Sequence, residues 1–279
     1  MIINTIDLYD YYGIPRNGAN GGYLTSYIRT KSAEIKERIR PAIIIIAGGG
    51  YEILSDREAE PVAIKFLNNG FCAFVLSYSL RTKYPTPLVE AMLAMRFVRD
   101  NVVEYNIDKN KVCVIGFSAG GHLAGLLATS TREERELIGE DIKSVCPDAV
   151  LLSYPVVTMT EYTHDGSRST ITGGDKTLIE KLSVEKRVDK DTPPMFIWHT
   201  FEDDCVPTEN SLMLAAALRQ NGIPFALHVF EEGKHGLSVA DEETCDFLDE
   251  QGNIKLVSKW FELALDWLAA KDFKVKVLK

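Results

Sequence analysis

The sequence predicts an α/β fold: a mostly parallel central sheet with helices on both faces. Three observations predict it. Short β-branched runs alternate along the chain with longer amphipathic ones, the rhythm of strands joined by helical crossovers. The run Pro41 to Ala47 is apolar throughout, as a strand covered on both faces requires. The 279 residues are 46% hydrophobic and 25% charged, which suits one large core and excludes a fibrous or disordered chain.

The elements follow in order. Gly22 to Thr30 alternates enough to form an early edge strand after the Asn/Gly-rich loop Arg16 to Gly21. Pro41 to Ala47 belongs near the sheet's centre and ends in three glycines. Phe71 to Ser77, Lys111 to Phe117, Ala149 to Tyr154, Met195 to His199 and Phe225 to Phe230 read as further strands. Helical runs fall between them: Glu58 to Asn68, Pro87 to Tyr105, Gly121 to Thr129 and Asn210 to Asn221. In a last helix, Ile254 to Ala270, Leu256, Trp260, Leu263 and Trp267 share one face, expected to dock on the core. The polar, turn-rich stretch at about 158–194 reads as a cap-like insertion over the sheet. Ser183 is a candidate cap for a short helix there, although Lys186 stands where a full capping box needs Glu or Gln. With no internal repeat and no linker, 1–279 reads as a single domain.

Acidic residues outnumber basic ones 40 to 31, for a net charge of −9. Such a chain lacks the positive field that holds a phosphate backbone or an anionic membrane, so no nucleic acid and no membrane partner is expected. No apolar run approaches the roughly 18 residues of a spanning helix, and acidic Asp7 and Asp10 stand where a signal peptide would be basic. A cytoplasmic location is the expectation. Cys72, Cys113, Cys146, Cys205 and Cys245 are scattered, without a C-x-x-C pair, and read as free thiols; no metal and no cofactor is expected.

Chemistry concentrates at the strand ends. Gly116-Phe117-Ser118-Ala119-Gly120 joins a strand directly to a helix, and a turn that sharp projects the Ser118 hydroxyl from the sheet's carboxyl end. Gly116 and Gly121 also have phosphate-loop spacing, but His122 and Leu123 follow where Lys and Ser/Thr are needed. A serine nucleophile needs a base and an orienting acid. His235, between Gly233 and Gly236, follows the last sheet strand, and Asp203 follows the strand before it. The order Ser, Asp, His is that of a nucleophile elbow on a parallel sheet. Glu202 and Asp204 are adjacent alternatives for the acid. Acyl transfer also needs donors for a developing oxyanion. Gly48 to Gly50, at the end of the central strand, and the Ala119 amide, at the helix start, can supply them. His122 and His199 read as hydrogen-bonded structural residues; His228 falls within a strand, His164 in the insertion is placed to touch substrate or water, and Met92 and Met95 read as packing residues.

These motifs resemble the α/β-hydrolases of the esterase/lipase type, and more narrowly the small bacterial carbohydrate-esterase or acetyl(xylan)-esterase-like proteins. The matching residues are Ala47 to Tyr51, Ser77 to Arg81 with Tyr84-Pro85, Gly116 to His122, Ser153 to Pro155, His199 to Pro207 and Gly233 to Gly236. They span about Pro41 to Gly236 and are specific for the superfamily rather than for a substrate. The resemblance implies an α/β-hydrolase fold with Ser118, Asp203 and His235 as catalytic triad, Asp203 being selected by Val206 and Pro207 three and four residues on. It implies oxyanion donors at Gly49, Gly50 and Ala119. Relatives often carry His before the three glycines; here Ala47 stands there. The expected function is a serine esterase for short-chain acyl esters, above all acetyl esters of sugars or small oligosaccharides. Its only expected partner is a small-molecule ester, with Tyr51 a candidate substrate contact and Tyr51, Tyr84 and Tyr154 lining a compact acyl pocket. The competing readings are a peptidase or amidase on the same fold, and a catalytically silent binding protein. The oligomeric state is not legible.

Overall fold

The computed structural model describes residues 1–139, 145–245 and 255–277, and at the centre of its sheet lies the isoleucine-rich strand. Nine strands pair among these residues: β1 (Ile2–Asp7), β2 (Tyr23–Ile28), β3 (Arg38–Ile46), β4 (Cys72–Ser77), β5 (Ile107–Phe117), β6 (Ala149–Ser153), β7 (Met195–Thr200), β8 (Phe225–Phe230) and β9 (Lys276–Val277). Their order in space is β1-β2-β4-β3-β5-β6-β7-β8, with β9 pairing the start of β3. From β4 across to β8 every pairing is parallel; β1, β2 and β9 add antiparallel pairings.

The alternation of β3 shows why all its residues are apolar. Ala42, Ile44 and Ile46 pack into one layer, with the helices Thr86–Asp100, Ser118–Ala128 and Glu209–Gln220. Ile43 and Ile45 face the other, with the helices Glu60–Asn68 and Trp260–Ala270. A strand roofed on both sides has no solvent face to make polar. The chain builds outward from β3 in both directions, to β4 and then to β5, so the crevice of a doubly wound sheet opens above the carboxyl ends of β3 and β5.

Several boundaries move. The edge strand β1 and the helix Leu8–Tyr12 were not legible, β1 being mostly exposed and so weakly patterned. The elbow helix begins at Ser118 itself, not Gly121, and the helix after β4 ends at Asp100, not Tyr105. The insertion contains two helices, Asp165–Thr172 and Thr177–Leu182, and a 3-10 turn, Val184–Lys186. Ser183 precedes that turn without a side-chain cap; its hydroxyl donates to the Ile179 carbonyl and accepts the Met159 amide. The insertion is tied down by the Tyr84 amide donating to the Ile171 carbonyl (2.9 Å) and the Thr170 hydroxyl donating to Glu52 (2.7 Å). Among the described residues no helix is long and apolar enough to cross a membrane.

The last helix docks through a face different from the expected one, and Ile254 lies outside the described residues. A 3-10 turn, Val257–Lys259, leads into Trp260–Ala270, and the buried residues are Val257, Trp260, Phe261, Ala264 and Leu268. Leu256 and Leu263 are exposed, and Trp267 is partly buried against Phe196. Trp260 anchors the helix: it stacks on Trp198 of β7 at 5.2 Å and donates its indole N–H to the Ser238 carbonyl. Trp260→Ala should therefore cost about 3–5 kcal/mol of stability, as emptying a large buried aromatic site does. Leu263→Ala should stay within about 0.5 kcal/mol of the parent. Chemical denaturation of both variants checks the assignment; equal losses would restore the expected face.

Candidate active site

The elbow owes its shape to close packing. β5 ends at Phe117, and Ser118 begins the helix with φ +51°, a left-handed conformation that costs energy for a residue with a side chain. Two glycines make the turn possible. A methyl group at Gly116 would lie 2.3 Å from the Gly120 carbonyl oxygen, and one at Gly120 would lie 2.2 Å from that of Ile46. Helix and strand backbones therefore touch, and the serine side chain is carried to the carboxyl rim of the sheet, 8% exposed.

Two loops bring partners to it. The Ser118 hydroxyl donates to His235 Nε2 at 2.8 Å, and His235 Nδ1–H donates to Asp203 Oδ2 at 2.7 Å. A carboxylate can only accept, so the imidazole proton sits on Nδ1 and Nε2 is free to accept from the serine. Asp203 Oδ1 accepts the amides of Cys205 (3.0 Å) and Val206 (2.8 Å), which ties the acid to the D-x-x-V spacing. His199 Nε2 lies 3.3 Å from Asp203 Oδ2 and donates to the Val206 carbonyl, while its Nδ1 accepts from Ser211. Burial alone would push the Asp203 carboxyl up; the hydrogen bonds from His199 and His235, with the Val206 amide, outweigh it and hold the group well below its ordinary value. Of the adjacent acids, Glu202 accepts the Gly233 amide and Asp204 is exposed; neither has a bond to His235.

The glycine loop faces this group. Gly48 N–H donates to Glu58 Oε2 at 2.7 Å, and the Gly49 carbonyl is taken by the amides of Glu52 and Ile53. Among the described residues the amides of Gly49 and Gly50 donate to no protein acceptor. Ala119 is the second residue of its helix, in the first turn, where an amide has no partner within the helix. Three uncommitted donors thus lie in the segments flanking the Ser118 hydroxyl.

Tyr51 is placed otherwise than expected. Its left-handed backbone, φ +64°, turns the ring into the core, where it is fully buried and its hydroxyl donates to His122 Nδ1 at 2.8 Å. It braces the glycine loop from below, so its side chain is not a substrate contact. Tyr154 is likewise buried, and the Tyr84 ring is partly buried with its hydroxyl committed to Glu134. His122 and His199 are hydrogen-bonded and fully buried; His228 packs on Phe196, and Met92 and Met95 are core residues. His164 lies beside Gly50.

One residue was missed. Glu58, 3% exposed, accepts both the Gly48 amide and the Tyr154 hydroxyl (2.7 Å each). The Tyr154 oxygen in turn accepts the Ser238 amide at 2.8 Å, and the Tyr154 ring packs edge-on against the His235 imidazole at 4.9 Å. Burial raises the Glu58 carboxyl above its ordinary range despite these bonds. Nothing in the local sequence signals the role, because an acid at a helix start is ordinary until tertiary packing buries it. A cavity of about 490 Å³ lined by Arg29, Arg38, Arg40 and Tyr105 opens at the opposite rim, by the amino ends of the strands, and does not belong to this site.

The BD-FAE family model matches residues 30–218. The chain belongs to the BD-FAE family. Its fold is that of an α/β-hydrolase. Over 213 residues it is 45% identical to endo-1,4-beta-xylanase B of Butyrivibrio fibrisolvens, covering 73% of this chain and 33% of the relative. Over 204 residues it is 33% identical to the acetylxylan esterase of Xylanibacter ruminicola, covering 70% and 40%. The chain thus spans less than half the length of these two relatives. It superposes on the acetyl ester-xyloside bifunctional hydrolase of Caldicellulosiruptor lactoaceticus with a TM-score of 0.77 at 38% identity, over 90% of this chain and 88% of that one.

His122 gives the glycine loop a pH dependence. Its Nε2–H donates to the Leu182 carbonyl at 2.7 Å, so Nδ1 must be unprotonated to accept from Tyr51. Burial lowers the group from 6.5 to about 4. Between those values the unfolded chain takes up a proton that the folded chain refuses, so stability falls as pH drops from about 6.5 toward about 4. The contribution approaches 1.4 kcal/mol per pH unit. Denaturation curves at pH 7, 6 and 5 should show a shallower pH dependence for His122→Asn than for the parent; parallel dependences would refute it.

Proposed function

We propose that the protein is a carboxylic ester hydrolase acting on short-chain acyl esters, in the first place acetyl esters of sugars or small oligosaccharides. One observation carries the reading: the unbroken hydrogen-bond relay from Ser118 through His235 to Asp203, at 2.8 and 2.7 Å. Ser118 Oγ attacks the ester carbonyl carbon while His235 Nε2 takes its proton. The carbonyl oxygen becomes an oxyanion facing the amides of Gly49, Gly50 and Ala119, where losing one donor typically costs about 3 kcal/mol of transition-state stabilisation. Collapse of the tetrahedral intermediate breaks the bond to the alcohol, which leaves with the proton from His235. Water then gives a proton to His235 as it attacks the acyl-serine carbonyl carbon; collapse breaks the bond to Ser118 Oγ, which takes the proton back from His235 as the carboxylic acid leaves. Asp203, charged throughout, holds the imidazole tautomer and offsets the charge it gains.

Support for the substrate class comes from two relatives, one named an acetylxylan esterase and one an acetyl ester-xyloside hydrolase. No feature of the site favours amide over ester cleavage.

Ser118→Ala should lower kcat on p-nitrophenyl acetate by a factor on the order of 10⁶ while leaving the thermal transition in place. The parent should be labelled at Ser118 by a fluorophosphonate probe, and its rates should fall steeply from acetate to octanoate esters. A Ser118→Ala variant that keeps most of its activity removes the serine from the mechanism. An unlabelled parent favours a silent binding protein, and cleavage of dipeptide amides without acetate esters favours a peptidase.

A further inference from the structure

His164 opens the insertion helix Asp165–Thr172 as its capping residue. Its Nδ1 accepts the Ser167 amide at 3.1 Å and the Ser167 hydroxyl at 2.8 Å. An amide can only donate, so Nδ1 is the bare nitrogen and the proton is fixed on Nε2. Among the described residues Nε2–H has no protein acceptor. The ring stands over the glycine loop: a methyl group at Gly50 would lie 3.5 Å from His164 Cε1. It also feels the charges of His235 and Asp203, and burial together with the His235 charge lowers its pKa and favours the neutral ring. A half-buried, uncharged N–H donor of fixed direction therefore stands at the Ser118 rim.

We propose that His164 is a substrate-binding residue whose Nε2–H donates to a hydroxyl or ring oxygen on the alcohol portion of the ester, and so favours sugar esters over simple ones. The inference rests on the esterase reading above. An acetyl ester offers oxygens only at its carbonyl and on its alcohol. Three backbone amides already serve the carbonyl, and the acyl methyl group accepts nothing, so a further neutral donor in this place has the alcohol oxygens left. An uncharged donor also matches a polyol, which carries no charge to pair with a cation.

The test is a ratio. kcat/KM is measured on an acetylated methyl xyloside and on p-nitrophenyl acetate, for the parent and for His164→Asn. Asn keeps the helix-capping acceptor but has no N–H at the imidazole's reach. The expected result is a fall of about tenfold on the sugar ester, carried by KM, as loss of one hydrogen bond gives, with less than twofold change on the aryl ester. Because the ratio of the two rates does not depend on how much enzyme is folded, a destabilised variant still reports, and His164→Ser repeats the test with a smaller cap. Equal loss on both substrates, or loss on neither, overturns the proposal. A parent that cleaves only the aryl ester overturns it while leaving the esterase reading standing; one that cleaves neither overturns both.

Discussion

The Glu58 carboxylate holds together the loops on which the site is built. One oxygen fixes the Gly48 amide and, with it, the course of the glycine loop after β3; the other accepts from Tyr154, after β6. Tyr154 passes the constraint on, by accepting the Ser238 amide three residues beyond His235 and by packing its ring on the imidazole. Loops from three strands, remote in sequence, are thereby referred to one buried group. Strands alone do not achieve this, because a parallel sheet sets the spacing of its strand ends but not the paths of the loops leaving them. Removing one partner from such a network leaves others buried without a bond, a cost larger than the net worth of the bond itself.

Buried acids in this molecule respond in opposite directions, and the donors around them decide which. Asp203 receives two backbone amides and the N–H of His235, with His199 Nε2 at 3.3 Å; its charged form wins over burial. Glu58, with one amide and one phenol, and Glu90, held by Ser79 and Tyr9, are raised, because two or three neutral donors do not repay the loss of water. In the proposed reaction, a stable Asp203 anion is what the imidazole needs beside it while it carries the serine proton. Glu58, by contrast, works through geometry.

What could be read in the sequence follows from the kind of constraint involved. Ser118, Asp203 and His235 were legible because each is demanded chemically and each lies at the end of a recognisable strand. The D-x-x-V pattern has a local cause, the Val206 amide on Asp203. Tyr51 was misread because its side chain direction depends on a left-handed backbone and on a distant histidine, His122, neither visible from neighbouring letters. Glu58 was passed over because burial of an acid is a tertiary fact. The last helix was misoriented for another reason: it is apolar almost all round, so spacing between apolar residues cannot select a face. Its two acids, Glu262 and Asp266, stand one turn apart opposite the Trp260, Ala264 and Leu268 stripe, and the wet side was the informative one.

The absence of histidine before the three glycines leaves the loop braced by other means. With Ala47 in that position, the Tyr78 hydroxyl donates to the Ala47 carbonyl, the Arg81 amide to the Tyr51 carbonyl, and the Tyr51 hydroxyl to His122. The Tyr78 to Arg81 segment after β4 thus clamps the loop from its own side of the sheet, the elbow helix holds it from beneath, and Glu58 pins its first amide. Every one of these bonds uses a carbonyl, a ring hydroxyl or the amide of Gly48, and none uses the amides of Gly49 or Gly50. A bracing scheme that immobilised the loop through those two donors would rigidify it equally well and leave it nothing to offer an oxyanion. In the proposed reaction, the placement of the braces serves the chemistry as much as the fold.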